Sequence, residues 1–506
     1  MLIDSRTLSE GHDIIADICI IGAGAAGITL ARELMGSGLS ICLLEAGGQH
    51  LDESDQSLSN ALNTGLPYDG LNVRGRAFGG TTHYWAGMCA PLAHEDFEQR
   101  SWLPQSGWPI TREELLPFYR KAQVTCEVGY FEYDPENLSE LAALSLLPLR
   151  PDRVETVIYQ NSPPTRFGPR YVDELDQADD VEVYLHAVLT QIILDEAGDR
   201  VVELKVMSAS ENHHRVIADR FVMAMGGIEN ARHLLAHRDS IPQGLGNESG
   251  TLGLFLEHPH YLPSAYILLK GDQNLGFYRS HRQATQYDDG EGDKEAVVYG
   301  ALSLPAKVRE REEIVAHACT IVPVDLDEEL LFTDAETTVA LETIRPLLSR
   351  EEGSITLCKL NLRAEQRVTE ACRLTLNWEK LDRFGLPIVE LNWQVSELDH
   401  HGYQRALALI GAELGAAGIG RLYTPVDAQR KYAPGTPSGG WHHMGTTRMS
   451  ESVETGVVDS NCKVHNLDNL YIAGSSVFPT GGYVNPTLTI VALAHRLGEH
   501  LKEVRS

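Results

Sequence analysis

The chain has 506 residues, 43% of them apolar, which is enough for a packed core and too many for a disordered protein. Lys and Arg number 42 against 71 Asp and Glu, and the formal charge of −29 argues against a nucleic-acid partner and against docking on an anionic membrane. Eight cysteines with no CxxC pair give no framework for disulfides or a zinc ribbon.

The N-terminal residues carry no basic stretch before their apolar run and no small-residue cleavage site after it. The longest apolar runs fall short of a bilayer span. The expectation is a soluble, cytoplasmic protein without membrane insertion.

The first sharp unit spans residues 17–45. Residues 17–21 (DICII) are short, apolar and β-branched, which predicts a buried strand. Gly22, Gly24 and Gly27 follow in GxGxxG spacing, then apolar residues at helical spacing up to Met35 and a stop near Gly36 and Gly38. Residues 41–44 (ICLL) predict a second buried strand, with Glu45 at its tip. Each glycine has a mechanical task in such a βαβ unit: Gly22 for the tight turn, Gly24 for close approach of a pyrophosphate, Gly27 for helix–strand packing. The helix N-terminus offers free N–H groups to phosphates, and a carboxylate at Glu45 can accept from ribose hydroxyls. No Arg follows Glu45 directly, which disfavours a 2′-phosphate. The unit predicts dinucleotide binding.

The middle is less sharp. Residues 112–123 predict a helix, 180–194 β-rich runs, and 215–225 a strand ending at Gly226-Gly227 with a helix after it. That last passage reads equally as a further dinucleotide contact or as an ordinary crossover. The polar stretch 288–294 predicts a surface loop. From 261 to 435 strands dominate, as at 373–377 and 388–393, and this region is expected to form a separate sheet domain over the substrate.

Chemistry gathers at the C-terminal end. Trp441-His442-His443-Met444-Gly445-Thr446 opens it. Residues 469–472 predict a strand into the small-residue turn Ala473-Gly474-Ser475. Asn485-Pro486-Thr487 precedes an apolar helical stretch to about Lys502, with Pro486 as first helical residue and Asn485 as its N-cap. The positive end of that helix would stabilise a developing anion. His258 and His260, in Glu257-His-Pro-His260, have no third ligand at metal-binding spacing and are expected to be structural or to stand behind the site; no metal is expected.

Four segments together resemble the glucose–methanol–choline (GMC) oxidoreductases, an FAD-dependent family, nearly end to end. They are Gly22-x-Gly24-x-x-Gly27 with Glu45, the loop Arg76-Ala-Phe-Gly79-Gly80-Thr81-Thr82-His83-Tyr84-Trp85, residues 221–235, and the pair of His442-x-x-Gly445-Thr446 with Asn485-Pro486-Thr487 found 43 residues apart. The likeness is strongest to the bacterial sugar-dehydrogenase and pyranose-oxidase branch. It implies an α/β fold: a Rossmann-like FAD-binding domain with a substrate domain built on a mostly antiparallel sheet with helices. The expected division is 1–100, 165–260 and 436–506 for FAD, and 101–164 and 261–435 for substrate. It implies FAD contacts at Ala25, Ala46, Val188, Ala224, Gly226, Gly474, Ser475, Asn485, Pro486 and Thr487, besides the glycines, Glu45 and Arg76, Gly79, Gly80, Thr81 and Trp85. It implies an enzyme that oxidises an alcohol of a sugar, glycoside or polyol by hydride transfer to flavin N5. His442 matches the family's catalytic histidine and Asn485 its partner, while His443 is expected to point away. Oxygen, a quinone or a carrier protein would accept the electrons.

Three departures stand out. Where some relatives attach flavin covalently through a His just before the Trp of the glycine loop, this chain has Tyr84, with His83 one place earlier. In an extended segment that shift reverses the side chain's face, so FAD is expected to be non-covalent. Residues 161–168 hold no cysteine, so no iron–sulfur cluster is expected. Ala473-Gly474 replaces a strand-end acid, leaving one flavin contact unassigned. Alternative readings are a lyase of the same fold with structural FAD, and a nicotinamide-dependent dehydrogenase.

Overall fold

The computed structural model describes all residues but 209, 238–241, 272, 285–294, 326–334, 349–353, 425–436 and 505–506. The loop expected at 288–294 lies outside the described residues. Two large sheets and one small sheet organise the chain. The first has eight strands. Its parallel set runs in the order Leu2–Asp4, Val181–Leu185, Ile41–Leu44, Asp13–Ile21, His213–Met223, with Leu470–Ile472 parallel to the end of the last. Val201–Ser208 and Ala187–Leu194 extend it in antiparallel fashion. Ile41–Leu44 is buried at all four positions, and Asp13–Ile21 without a break from Ile18 onward, as parallel strands covered on both faces must be.

Helices Ala25–Leu34 and Thr487–Glu503 pack side by side. Gly498 permits this, because a Cβ there would lie 2.5 Å from Glu33 Cγ. His495 Nδ1 meets Glu33 Oε2 at 2.7 Å across the pair. Helix Arg112–Thr125, placed by the sequence with the substrate side, joins them instead. Its buried Leu115, Tyr119 and Ala122 form an apolar stripe, and Tyr119 Oη lies 2.9 Å from Thr489 Oγ1.

The second sheet is antiparallel with nine strands. Its long members are Pro259–Lys270, Ile355–Ala364, His317–Pro323, Glu295–Ser303 and Glu155–Asn161. Ile267, Cys319 and Leu360 form an apolar core with Leu407 and Ile410 of helix Glu397–Ala416. Strands Arg373–Leu381 and Pro387–Asn392 were expected in the substrate-covering sheet. They form a separate three-stranded sheet with Ala61–Asn63. Pro387–Asn392 is buried only at alternate positions, so it needs one covered face, which a small sheet provides. No helix among the described residues is long and apolar enough to cross a membrane.

Candidate active site

Strand Asp13–Ile21 delivers the chain to Gly22, whose φ of 106° and approach to Ala224 exclude a side chain; a Cβ would stand 2.7 Å from the Ala224 carbonyl oxygen. At Gly27 a Cβ would lie 1.9 Å from the Gly22 oxygen, so this glycine sets helix against strand. Gly24 differs: the only atom within 4 Å of its Cβ position is Gly80 Cα at 3.9 Å. Helix Ala25–Leu34 begins there with no side-chain cap, leaving its first N–H groups for a ligand. The buried Glu45 carboxylate accepts from Ala23 N (3.0 Å) and Gly47 N (2.9 Å), and burial raises its pKa. It thereby ties the glycine turn to the tip of the second strand.

A cavity of about 680 Å³ opens over this turn, within the usual size of a small-molecule site. It runs to the C-terminal segment. Gly22, Gly24, Ala25, Glu45, Ala46, Arg76, Gly80, Thr81, Trp85, Val188, Ala224, Gly226, His442, Gly474, Ser475, Asn485, Pro486 and Thr487 all line it. Gly27 and Gly79 do not. Gly79 (φ 106°) supports the loop from behind, donating its N–H to Ala23 O at 2.8 Å and abutting Gly168. Arg74 and Arg76, both on the cavity wall, converge on Glu229 at 2.7 and 3.0 Å. Burial opposes ionisation of Glu229, but Arg76, Arg232 and Arg74 together hold its carboxyl well below the usual range. The strand–Gly226-Gly227–helix passage, left open by the sequence, belongs to the wall of this cavity.

Residues Gly80–His83 form a 3-10 turn and not the extended segment assumed from sequence. His83 Nε2 turns back to the Phe78 carbonyl at 3.0 Å, while Tyr84 lines the cavity.

The far end of the cavity holds the titratable cluster. His442 has both ring nitrogens engaged: Nδ1 lies 2.8 Å from His258 Nδ1 and Nε2 lies 3.1 Å from Asn485 Nδ2. With the Asn485 amino group donating to Nε2, the His442 proton resides on Nδ1 and is given to His258, and the Nε2 lone pair stands beside Asn485. Burial first, and then the neighbouring imidazoles of His258, His260 and His443 and the Arg363 guanidinium, which disfavour a further positive charge, hold the His442 pKa well below 6.5, so the ring is neutral. Asn485 was expected to cap the last helix. Helix Thr487–Glu503 starts one residue later than expected, with Pro486 at its N-cap and no side-chain cap; Asn485 stands just outside, its Nδ2 on His442 and its Oδ1 buried without a partner.

The backbone before His442 is strained and clamped. Trp441 has φ 63°, rare for a bulky residue. Glu257 Oε1 accepts from the amides on either side of it, Gly440 N at 3.1 Å and His442 N at 2.9 Å, and from His258 N at 2.7 Å. Successive N–H groups around such a turn make a nest for an anion, here filled by a side chain. Tyr68 Oη donates to Glu257 Oε2 at 2.7 Å. Burial pushes the Glu257 carboxyl up to about 7 against these bonds. Gly440 is required because a Cβ would lie 2.8 Å from His260 Nε2 and 2.9 Å from His442 Nδ1.

His443 does not leave the site entirely. It too borders the cavity, but its ring sits against Tyr68 (5.7 Å) and Phe255 (6.2 Å), and its carbonyl accepts from Ser475 Oγ at 2.6 Å. The sequence reading missed Tyr68, Arg363 and the roles of Glu257 and His258. The cue was the run Glu257-His-Pro-His260, whose partners stand far away in sequence. Among the described residues no three His, Cys, Asp or Glu side chains are arranged to hold a metal ion.

Residues 17–353 match the family model for FAD dependent oxidoreductases, and residues 369–494 match the model named GMC oxidoreductase. The fructose dehydrogenase large subunit of Gluconobacter japonicus is 24% identical, over 97% of this chain and 98% of its own. The 6'''-hydroxyparomomycin C oxidase of Streptomyces lividus is 25% identical, over 96% of this chain and 91% of its own. Among solved structures, pyridoxine 4-oxidase from Mesorbium loti superposes with a TM-score of 0.60 at 15% identity, over 97% of this chain and 100% of that one, a likeness of fold. The FAD-type Rossmann fold, the cavity joining its glycine turn to the C-terminal segment, and these matches place the chain among the FAD-dependent oxidoreductases, with a C-terminal part that matches the GMC oxidoreductase model.

Proposed function

We propose that the protein oxidises an alcohol group of a sugar, glycoside or related polyol, using non-covalent FAD held along the cavity, with His442 taking the hydroxyl proton. The observation that carries this reading is the His442 Nε2–Asn485 Nδ2 pair at 3.1 Å, in the wall of the same cavity as the glycine turn. The residues fit the cofactor. Glu45 would hold the adenosine ribose, Gly24 leaves room for the pyrophosphate at a helix N-terminus, and the N-terminus of Thr487–Glu503 borders the opposite end. When bound, FAD supplies the two-electron acceptor.

This chain's residues do the rest. An alcohol oxygen entering between His442 and Asn485 replaces their mutual hydrogen bond. The Asn485 amide donates to that oxygen without titrating. His442 Nε2, neutral because of its burial, accepts the proton, a role for which a ring nitrogen is suited. The cation so formed donates from Nδ1 to His258 Nδ1 and is held in place by it. Glu257 fixes the backbone on which His442 rides.

The names of the relatives support a sugar-like substrate, and oxygen, a quinone or a carrier protein are the acceptors in view. Non-covalent binding is supported by His83, which faces Phe78 O. Of the division into 1–100, 165–260 and 436–506 for FAD and 101–164 and 261–435 for substrate, the first set is supported by the eight-stranded sheet, all of whose strands fall in it, whereas helix Arg112–Thr125 packs on the FAD side and strand Pro387–Asn392 pairs with Ala61–Asn63. The test is anaerobic addition of sugars, glycosides and aminocyclitols to the yellow holoenzyme. Loss of flavin absorbance with one of them is expected. Flavin that stays oxidised throughout, as in a lyase, would overturn the reading.

A further inference from the structure

One wall of the cavity contains a positive charge that no described residue neutralises. Three arginines line the cavity: Arg74, Arg76 and Arg363. The first two share the Glu229 carboxylate. The Arg363 side chain has no hydrogen bond or ion pair with any described residue, although the chain has 71 acidic side chains and a net charge of −29. A guanidinium in a cavity wall gives up part of its hydration, and proteins ordinarily compensate with a carboxylate or an ordered acceptor. Here the compensating group is left to come from outside.

A second polar group points to the same place. Arg363 lies on strand Ile355–Ala364, directly opposite His260 on strand Pro259–Lys270. His260 also lines the cavity, and its Nε2 is closed off from solvent with no hydrogen-bond partner. The His260 ring is 5.9 Å from that of His442. Burial, then the Arg363 charge, keep His260 neutral, so it offers one N–H donor and no competing cation. The FAD pyrophosphate would not reach this pair. Its cradle is the Gly22–Ala25 turn on the other sheet, whereas Arg363 and His260 belong to the sheet that faces His442.

We propose that Arg363 and His260 form an anion-binding subsite, and that the alcohol oxidised at His442 carries a carboxylate group, as in a sugar acid. The guanidinium fork matches the two oxygens of a carboxylate, and the His260 N–H adds a third donor. This rests on the alcohol-oxidation reading and deepens it: the same site takes an acidic polyol in preference to its neutral counterpart. The wall nearby is otherwise apolar or aromatic at Leu262 and Trp441, which favours recognition by this one charge.

The test uses FAD-loaded wild type, Arg363→Gln and Arg363→Lys. The first readout needs no turnover. Acetate and glutarate, which have no hydroxyl to oxidise, are titrated against the flavin absorbance spectrum. Wild type should bind them, Arg363→Gln should bind roughly 10- to 150-fold more weakly, and Arg363→Lys should fall between. The second readout compares flavin reduction by glucuronate and gluconate with that by methyl glucoside and glucose. In wild type the acids should win in kcat/KM, and Arg363→Gln should lose the acids by a similar factor while changing the neutral sugars less than threefold. If no carboxylate perturbs wild type, or Arg363→Gln binds it equally well, the subsite is refuted. An equal loss for acids and neutral sugars would also refute it and would place Arg363 against the flavin. Preference for glucose 6-phosphate over both sugar acids would replace the carboxylate by a phosphate and overturn the stated class. If neutral sugars reduce the flavin and acids do not, this inference fails while the function stands. If no alcohol reduces it but carboxylates bind, the function fails and the subsite stands.

Discussion

Replacing Glu257 by Gln probes the framework behind His442. Burial lifts this carboxyl from the ordinary 4.5 to about 7. A group raised in this way holds its proton more tightly in the folded chain than in the unfolded one. Its contribution to stability is therefore whole below the unfolded value and is lost as the pH climbs through the folded one. The gap between 4.5 and about 7 corresponds to about 3 kcal/mol. Glutamine keeps the carbonyl acceptor for the amides of His258, Gly440 and His442 and does not titrate. Tyr68 Oη, facing an amide NH₂, can rotate to accept. Wild type should thus lose about 3 kcal/mol relative to Glu257→Gln between about pH 4.5 and about pH 8. Denaturant unfolding of the holoenzyme, followed by flavin fluorescence at several pH values, measures the difference directly. A difference that stays flat across that range would refute the reasoning. Glu257→Ala is the harsh control. It strands the amides of His258 and His442 and the Tyr68 phenol at about 1–3 kcal/mol each, while Gly440 N keeps the His258 carbonyl; the sum is comparable with the whole stability of a domain and should leave little folded protein.

Three further outcomes are expected. Gly24→Ala should fold and lose FAD affinity, because its Cβ enters the cavity, whereas Gly27→Ala, with Gly22 O at 1.9 Å, should not fold; thermal melts and FAD titration separate the two, and equal behaviour would remove the division of labour between these glycines. His317 is fully buried, and burial holds it at about 4 against 6.5, so its neutral form contributes stability above pH 6.5 that is lost as pH falls through 4. Wild type should lose about 3 kcal/mol relative to His317→Gln over that acid window, and an unchanged difference would mean that His317 is not held neutral. Acid precipitation should leave the yellow colour in the supernatant, since His83 is turned to Phe78 O; colour kept in the pellet would show a covalent link.

How much was legible depended on how local the physics was. Gly22, Gly24, Gly27 and Glu45 lie within one βαβ unit, where each residue type is dictated by backbone closeness or by its position at a strand tip, and a linear pattern carries that information. His442 and Asn485 were legible as two halves of one motif. Their hydrogen bond was not, since a helix cap explained Asn485 equally well until the geometry showed its side chain on His442. Glu257 and His258 could be seen only as a possible supporting run, because their partner stands 184 and 185 residues away. Arg363 gave no sign at all. Its significance lies in the missing counter-charge and in its register with His260, both properties of the folded sheet. The 3-10 turn at Gly80–His83 escaped notice because period-2 reasoning presumes a strand, and two adjacent left-handed glycines, Gly79 and Gly80, bend the chain there. Strands Arg373–Leu381 and Pro387–Asn392 were correctly seen as strands, but their partner, Ala61–Asn63, comes from the N-terminal part of the chain.

The central claim is that proton removal from the alcohol happens at His442, and it is tested most directly by anaerobic stopped-flow reduction of bound FAD in His442→Ala, His443→Ala and wild type with one reducing alcohol. His442→Ala should keep its FAD and reduce it more slowly by a factor on the order of 10²–10⁴. His443→Ala, whose ring packs on Tyr68 and Phe255, should be far milder. Equal rates in His442→Ala and wild type, or a large loss confined to His443→Ala, would contradict the account.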